Sequence, residues 1–236
     1  MLQIINSPKR VARMAGILYA AMSIQAPIAL LYVPSHILVE GNAAATTKNI
    51  LAHEFFFRLS IISQLFSVII FAFLALLLYR LFEQVNQSRS RLLFSFVLVQ
   101  VPITFIFETF NLTSLMIAKG EILQSLPPEQ KQNLVMLLLN IHGYGLITSE
   151  IFWGLWLLPF AQLVYQSGFI PRIFGWCLFY GCLCWVIDSV TWLLFPAYSP
   201  FISQIVMKTG WIGEIPIMLW LIIKGVKSKI PFIEKG

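Results

Sequence analysis

The stretch Phe55–Phe82, FFFRLSIISQLFSVIIFAFLALLLYRLF, decides the fold. After Arg58 it carries no charged side chain until Arg80. At about 1.5 Å of rise per residue, such a run as a helix exceeds the ~30 Å hydrocarbon core of a bilayer. Backbone polar groups in hydrocarbon must be satisfied within the segment, so the run reads as a membrane-spanning helix.

Outward from it, comparable apolar runs cover about Val11–Val33, Leu92–Ala118, Lys131–Gln166, Arg172–Phe195 and Phe201–Val226. The expectation is an all-α polytopic transmembrane bundle of about six spans, forming one domain over residues 1–236. Composition supports it: 58% of residues are hydrophobic and 11% charged, against about 45–50% and 25% in soluble domains. The apolar run that follows Lys9, Arg10 and Arg13 is too long for a usual signal h-region and reads as the first span.

The connections follow from turn chemistry. Pro34–His53 reads as a loop with a short helical turn begun at Thr46 or Thr47, and Asn86–Arg91 as a tight turn. Ser125-Leu126-Pro127-Pro128-Glu129 is a helix start, because proline is tolerated in a first turn. The fourth segment is longer than a bilayer requires, so it should tilt, project or break near Gly143. Gly168 and Pro171 end it, and Pro196–Pro200 makes another turn. Pro27, Pro102, Pro159 and Pro216 fall inside spans, where each removes a backbone donor and favours a kink.

With both termini cytoplasmic, five of the 16 basic residues lie outside: Lys48, Arg58, Lys119, Lys131 and Lys208. The other eleven lie inside, as the positive-inside rule asks. The net charge of +6 is then loop charge. No basic patch interleaved with aromatics points to nucleic acid, and the expected partner is the lipid bilayer.

An ionisable group at the bilayer centre costs at least about 2.5–3.5 kcal/mol, so it faces protein or water. Glu54, Arg58, Glu108, Glu150, Asp188, Lys208 and Glu214 lie in or at the ends of the spans. In this topology Glu108, Glu150 and Asp188 each stand about 24 Å along their helices from the inner face. The expectation is one polar pocket open to the outside, holding these groups with Asn111 and His142. It would take a small molecule, an ion or a lipid-like ligand. Alternatively, Arg58 and Lys208 each pair with one acid and the groups act as interhelical glue.

Other chemistry is weaker. Cys177, Cys182 and Cys184 share one apolar run without a histidine and read as packing residues. His53 and His142 beside carboxylates match no compact metal motif, so no metal site is assigned, and the cofactor is left unknown. No catalytic residue is assigned. There is no nucleotide-binding glycine loop and no Gly-x-Ser-x-Gly elbow. The Asn111-Leu112-Thr113 sequon lies within a span. The seven tryptophans read as interface belts and helix packing.

Several stretches carry a resemblance: Arg10-Val11-Ala12-Arg13-Met14-Ala15-Gly16, Ala43-Ala44-Ala45-Thr46, and Glu54 with Phe57-Arg58. Leu76-Leu77-Leu78-Tyr79, His142-Gly143-Tyr144 and Phe152-Trp153-Gly154-Leu155 extend it. Ser167 to Arg172, Ile187-Asp188-Ser189 and Ile212-Gly213-Glu214 complete it. Together they resemble a family of small bacterial multipass membrane proteins, catalogued as the four-three-eight-six family of domains of unknown function. The resemblance implies an all-helical fold in a cell membrane, the bacterial inner membrane, and transfers no activity. It also marks departures: Gln64 stands where the family commonly has an acid, and Trp156 where it commonly has a histidine. Three functions remain open. They are a ligand- or ion-binding or transporting protein, an intramembrane enzyme using carboxylate acid/base groups on a lipid-like substrate, and a structural subunit of a membrane complex.

Overall fold

In a computed structural model of the chain, residues 7–24 and 32–226 are described. Residues 25–31 of the expected first span, Pro27 among them, and the basic residues Lys227, Lys229 and Lys235 lie outside the described residues. Among the described residues the chain is all-helical, with no strand. The helices are α1 (Pro8–Ser23), the short α2 (Val33–His36), α3 (Ala43–Ala52), α4 (Glu54–Phe82) and α5 (Gln87–Ala118). They continue with α6 (Pro128–Leu155), α7 (Leu157–Ser167), α8 (Arg172–Leu194), α9 (Ser199–Thr209), a 3-10 turn (Gly210–Gly213) and α10 (Ile215–Ile223).

Five segments are long and apolar enough to cross a membrane: Glu54–Phe82, Gln87–Ala118, Pro128–Ser167, Arg172–Leu194 and Ser199–Ile223. They match five of the runs read from sequence. The described part of the remaining run is α1.

The boundaries differ where local chemistry extends a helix. Asn86 caps α5 by accepting from the Arg89 N–H at 3.0 Å, so residues 87–91, expected as a turn, are helical. Asn42 does the same for α3, accepting from Ala45 N at 2.9 Å. Thr46 and Thr47 then lie inside a helix instead of starting one. The fourth segment runs through Gly143 unbroken and breaks between Leu155 and Leu157. Pro159 explains the place: it has no N–H for the carbonyl four residues earlier, that of Leu155. Pro216 acts similarly on the last segment, where the 3-10 turn separates α9 from α10.

Contacts divide the described residues into two compact units. The first holds residues 7–20, 70–99 and 149–226; the second holds 21–24, 32–69 and 100–148. The first is built on close backbone approach. In α1 the stripe Ala12, Ala15, Gly16 and Tyr19 is buried. A Cβ on Gly16 would lie 2.7 Å from the Ile222 backbone nitrogen, so α1 and α10 are in direct contact there. Gly213 and Gly181 meet likewise: a Cβ on Gly213 would stand 2.7 Å from the Gly181 Cα. Small residues at such crossings are the usual device where hydrophobic association is weak. Around them Phe82 packs on Phe160 and Phe169, and Trp156 on Tyr19, Phe71 and Phe160.

The core of the second unit is conventional. Ile37, Ile50, Phe57, Ile61, Leu115, Ile117 and Val135 are buried together, joining α3, α4, α5 and α6.

Candidate functional site

In the first unit, α6 and α8 cross at Gly154. A Cβ there would lie 2.7 Å from the Cys182 carbonyl oxygen and 3.3 Å from the Val186 nitrogen. Glu150 is one turn before Gly154 and Asp188 two residues beyond Val186. An antiparallel crossing this tight therefore brings both carboxylates to one level, within electrostatic reach of each other. Ser203 of α9 donates to Asp188 Oδ1 at 2.6 Å. Glu150 Oε2 is buried with no hydrogen-bond partner.

Glu214 occupies the break before α10. Its Oε2 accepts from the Tyr19 hydroxyl, and its Oε1 accepts from Trp185 Nε1 at 3.3 Å. The position suits a carboxylate, because the exposed N–H groups of a helix start carry partial positive charge. Trp185 also stands edge-on between Trp153 and Trp211, at centroid distances of 5.5 and 6.2 Å. Lys208, expected to pair with an acid, is exposed. It forms no ion pair among the described residues. The three cysteines of α8 are free, two of them buried.

The second unit arranges its charges differently. Phe107 lies over Gly145, where a Cβ would fall 2.4 Å from the ring. That close packing of α5 on α6 sets Glu108 against His142, Oε1 to Nε2, at 3.0 Å. Asn111 Nδ2 donates to the other carboxylate oxygen at 3.1 Å. Glu108 and Asn111 are buried. At the start of α4, Arg58 Nε donates to Glu54 Oε1 at 2.8 Å. Lys119 lies 3.2 Å from the same oxygen and 2.8 Å from Glu121. Glu121, and then Glu54, hold the Lys119 ammonium above the ordinary lysine range. Gln64 keeps its Oε1 buried and unpartnered. No group of three metal-ligating side chains forms among the described residues.

Of the nine residues singled out from sequence, Glu54, Arg58, Glu108, Asn111 and His142 belong to the second unit, and Glu150, Asp188, Lys208 and Glu214 to the first. The second unit joins Glu54 to Arg58 and Glu108 to Asn111 and His142. The first brings Glu150 near Asp188. Tyr19, Trp185 and Ser203 were not anticipated as partners of acids. For Tyr19 a signal existed, since it continues the small-residue stripe of α1 at helical spacing.

The comparisons with known proteins bear on identity rather than chemistry. An uncharacterised protein of Archaeoglobus fulgidus is 34% identical over 77 residues, 33% of this chain. The chain spans only 44% of that relative's length. No solved structure matches. A family model described as "Domain of unknown function (DUF4386)" matches residues 14–225. With that match covering nearly all of the described helices, the chain belongs to the DUF4386 family of multispan helical proteins.

Proposed function

We propose that the protein is a membrane binder of small cations, protons included, with Glu150 and Asp188 as the acceptor pair. One observation carries this reading: the α6–α8 crossing at Gly154 brings the two carboxylates to one level within spans, with no base paired to either among the described residues. Two like charges at that depth repel and are poorly solvated, so the pair requires a proton or a cation to complete it. Glu150 Oε2, buried without a partner, is the atom left to receive it. The α6–α8 crossing at Gly154 has no room for a methyl group, which favours small cations over extended ligands. The distribution of basic residues would open the site to the outside.

The test is proton release from purified protein in weak buffer as sodium or potassium is added, with thermal stability followed in parallel. Cation addition should release protons and raise the unfolding temperature. Both responses should disappear in Glu150→Gln and in Asp188→Asn. Responses unchanged in both variants would end the proposal.

A second reading, intramembrane catalysis, draws on the Glu108–His142 pair. One ring nitrogen of His142 is held by the carboxylate, and the other makes no hydrogen bond among the described residues. That is the geometry of a general base oriented by an acid. It predicts a time-dependent mass change in added lipids that His142→Ala abolishes, and unaltered lipids would eliminate it.

A further inference from the structure

We propose that the first unit carries a binding site for one anionic phospholipid where α10 ends. Its acyl chain would lie in a groove on α8 and α10, and its phosphate would rest on Lys224, Lys9 and Arg13. The groove, of about 220 Å³, is lined by Phe174, Pro216, Leu219, Trp220, Ile223 and Lys224. Its wall is the tilted pair Phe174 and Trp220, with centroids 5.2 Å apart. Every lining side chain except Lys224 is apolar or aromatic, and Leu219 and Ile223 are exposed, Ile223 by 62%. Phe174 lies near the start of the Arg172–Leu194 candidate span, the rest of the apolar lining lies within the candidate span that ends at Ile223, and Lys224 follows immediately. A groove at that depth opens onto acyl chains, and its one cation stands at headgroup level.

Two further cations are brought to the same corner by backbone geometry. Gly225 takes a left-handed conformation, with φ +65°, which turns the chain back over α1. A Cβ on Gly225 would lie 3.2 Å from Lys9 Cγ and 3.5 Å from Arg13 Cγ. Arg13 Nη2 donates to the Ile223 carbonyl at 3.2 Å, closing the end of α10. Neither α1 nor α10 contains an acidic residue, and none of the three cations is ion-paired among the described residues. Basic corners between spans are the usual receptors for anionic headgroups. A zwitterionic choline lipid would set its own ammonium against these cations. A free anion would leave the groove unused.

The experiment reconstitutes the full chain in phosphatidylcholine nanodiscs and measures tryptophan quenching by acyl-brominated lipids. Brominated phosphatidylglycerol should quench at a several-fold lower mole fraction than brominated phosphatidylcholine. Trp220→Phe should remove the preferentially quenched component. That variant loses no hydrogen bond, because Trp220 Nε1 has no acceptor. In Lys9→Gln/Lys224→Gln the two lipids should quench alike. Arg13 is left in place because it holds Ile223. Equal quenching of the parent protein by both lipids would overturn the site. So would a preference that survives in the double variant, or one that inorganic phosphate abolishes at constant ionic strength.

Discussion

The two units treat buried charge in opposite ways. In the second, Glu54 and Glu108 both have partners: Glu54 has Arg58 and Lys119, and Glu108 has His142 and Asn111. In the first, Glu150, Asp188 and Glu214 meet hydroxyls, an indole or nothing, and the exposed Lys208 pairs with none of them among the described residues. Some glycines differ in parallel. A methyl group on Gly16, Gly154 or Gly213 of the first unit would stand 2.7 Å from a backbone atom of another element, whereas in the second unit Gly145 would meet the Phe107 ring and Gly143 nothing within 4 Å. Paired charge is what a membrane helix needs in order to fold. Unpaired acids held by a rigid, glycine-packed frame do not serve folding, and the contrast is why the function is placed in the first unit.

The largest expected effect tests that frame. A Cβ on Gly213 would press on the Gly181 Cα and lie 3.1 Å from the Cys177 carbonyl, both backbone atoms that cannot rotate away. Gly213→Ala should therefore destabilise by about 1–3 kcal/mol, the usual cost of overpacking. Gly143→Ala, in an open helical position, should stabilise by about 0.4–1 kcal/mol through reduced unfolded-chain entropy. Both are read from unfolding in mild detergent with increasing denaturant. Equal and small effects at the two sites would remove the distinction between the units.

That contrast also marks how much the sequence could say. The spans were legible because hydrocarbon permits only long apolar helices, and the departures at Asn42 and Asn86 were caps that single residues decide. A kink is expected at Pro159 and, as one of three outcomes for the long fourth segment, a break near Gly143; the break falls between Leu155 and Leu157 instead, because glycine is only flexible while proline deletes a hydrogen bond. The pairing of Glu108 with His142 depends on Phe107 lying over Gly145, which no spacing along one helix encodes. Depth in the membrane grouped the acids; only rotation about each helix axis decides which of them meet, and sequence leaves that rotation open.

A smaller effect separates paired from unpaired acids directly. Glu108→Ala removes two hydrogen bonds from a buried carboxylate and should cost about 1–3 kcal/mol, given roughly 0.5–1.5 kcal/mol for an ordinary hydrogen bond and more for a charged one. Glu150→Gln removes none and should be neutral or mildly stabilising, since a buried charge without a partner is itself unfavourable. Unfolding midpoints of the two variants, measured without added cation, decide the matter. A loss at Glu150 as large as that at Glu108 would mean that Glu150 is structural.

The smallest effect lies in loop charge at the end of α5. Lys119 sits between Glu121 and Glu54 and keeps its proton more firmly when folded than when unfolded. A group whose folded pKa is raised contributes stability that is fully present below the unfolded value, about 10.4 for lysine. That contribution declines as pH rises through the folded value. The unfolding temperature of the parent protein should therefore exceed that of Lys119→Gln at neutral pH, and the two should converge in strongly alkaline buffer. Because these side chains are solvated, added salt should shrink the neutral-pH difference as well. A difference that persists at high pH and high salt would mean that Lys119 acts through the packing of its aliphatic stem, and the second unit would then owe less to paired charge than its geometry suggests.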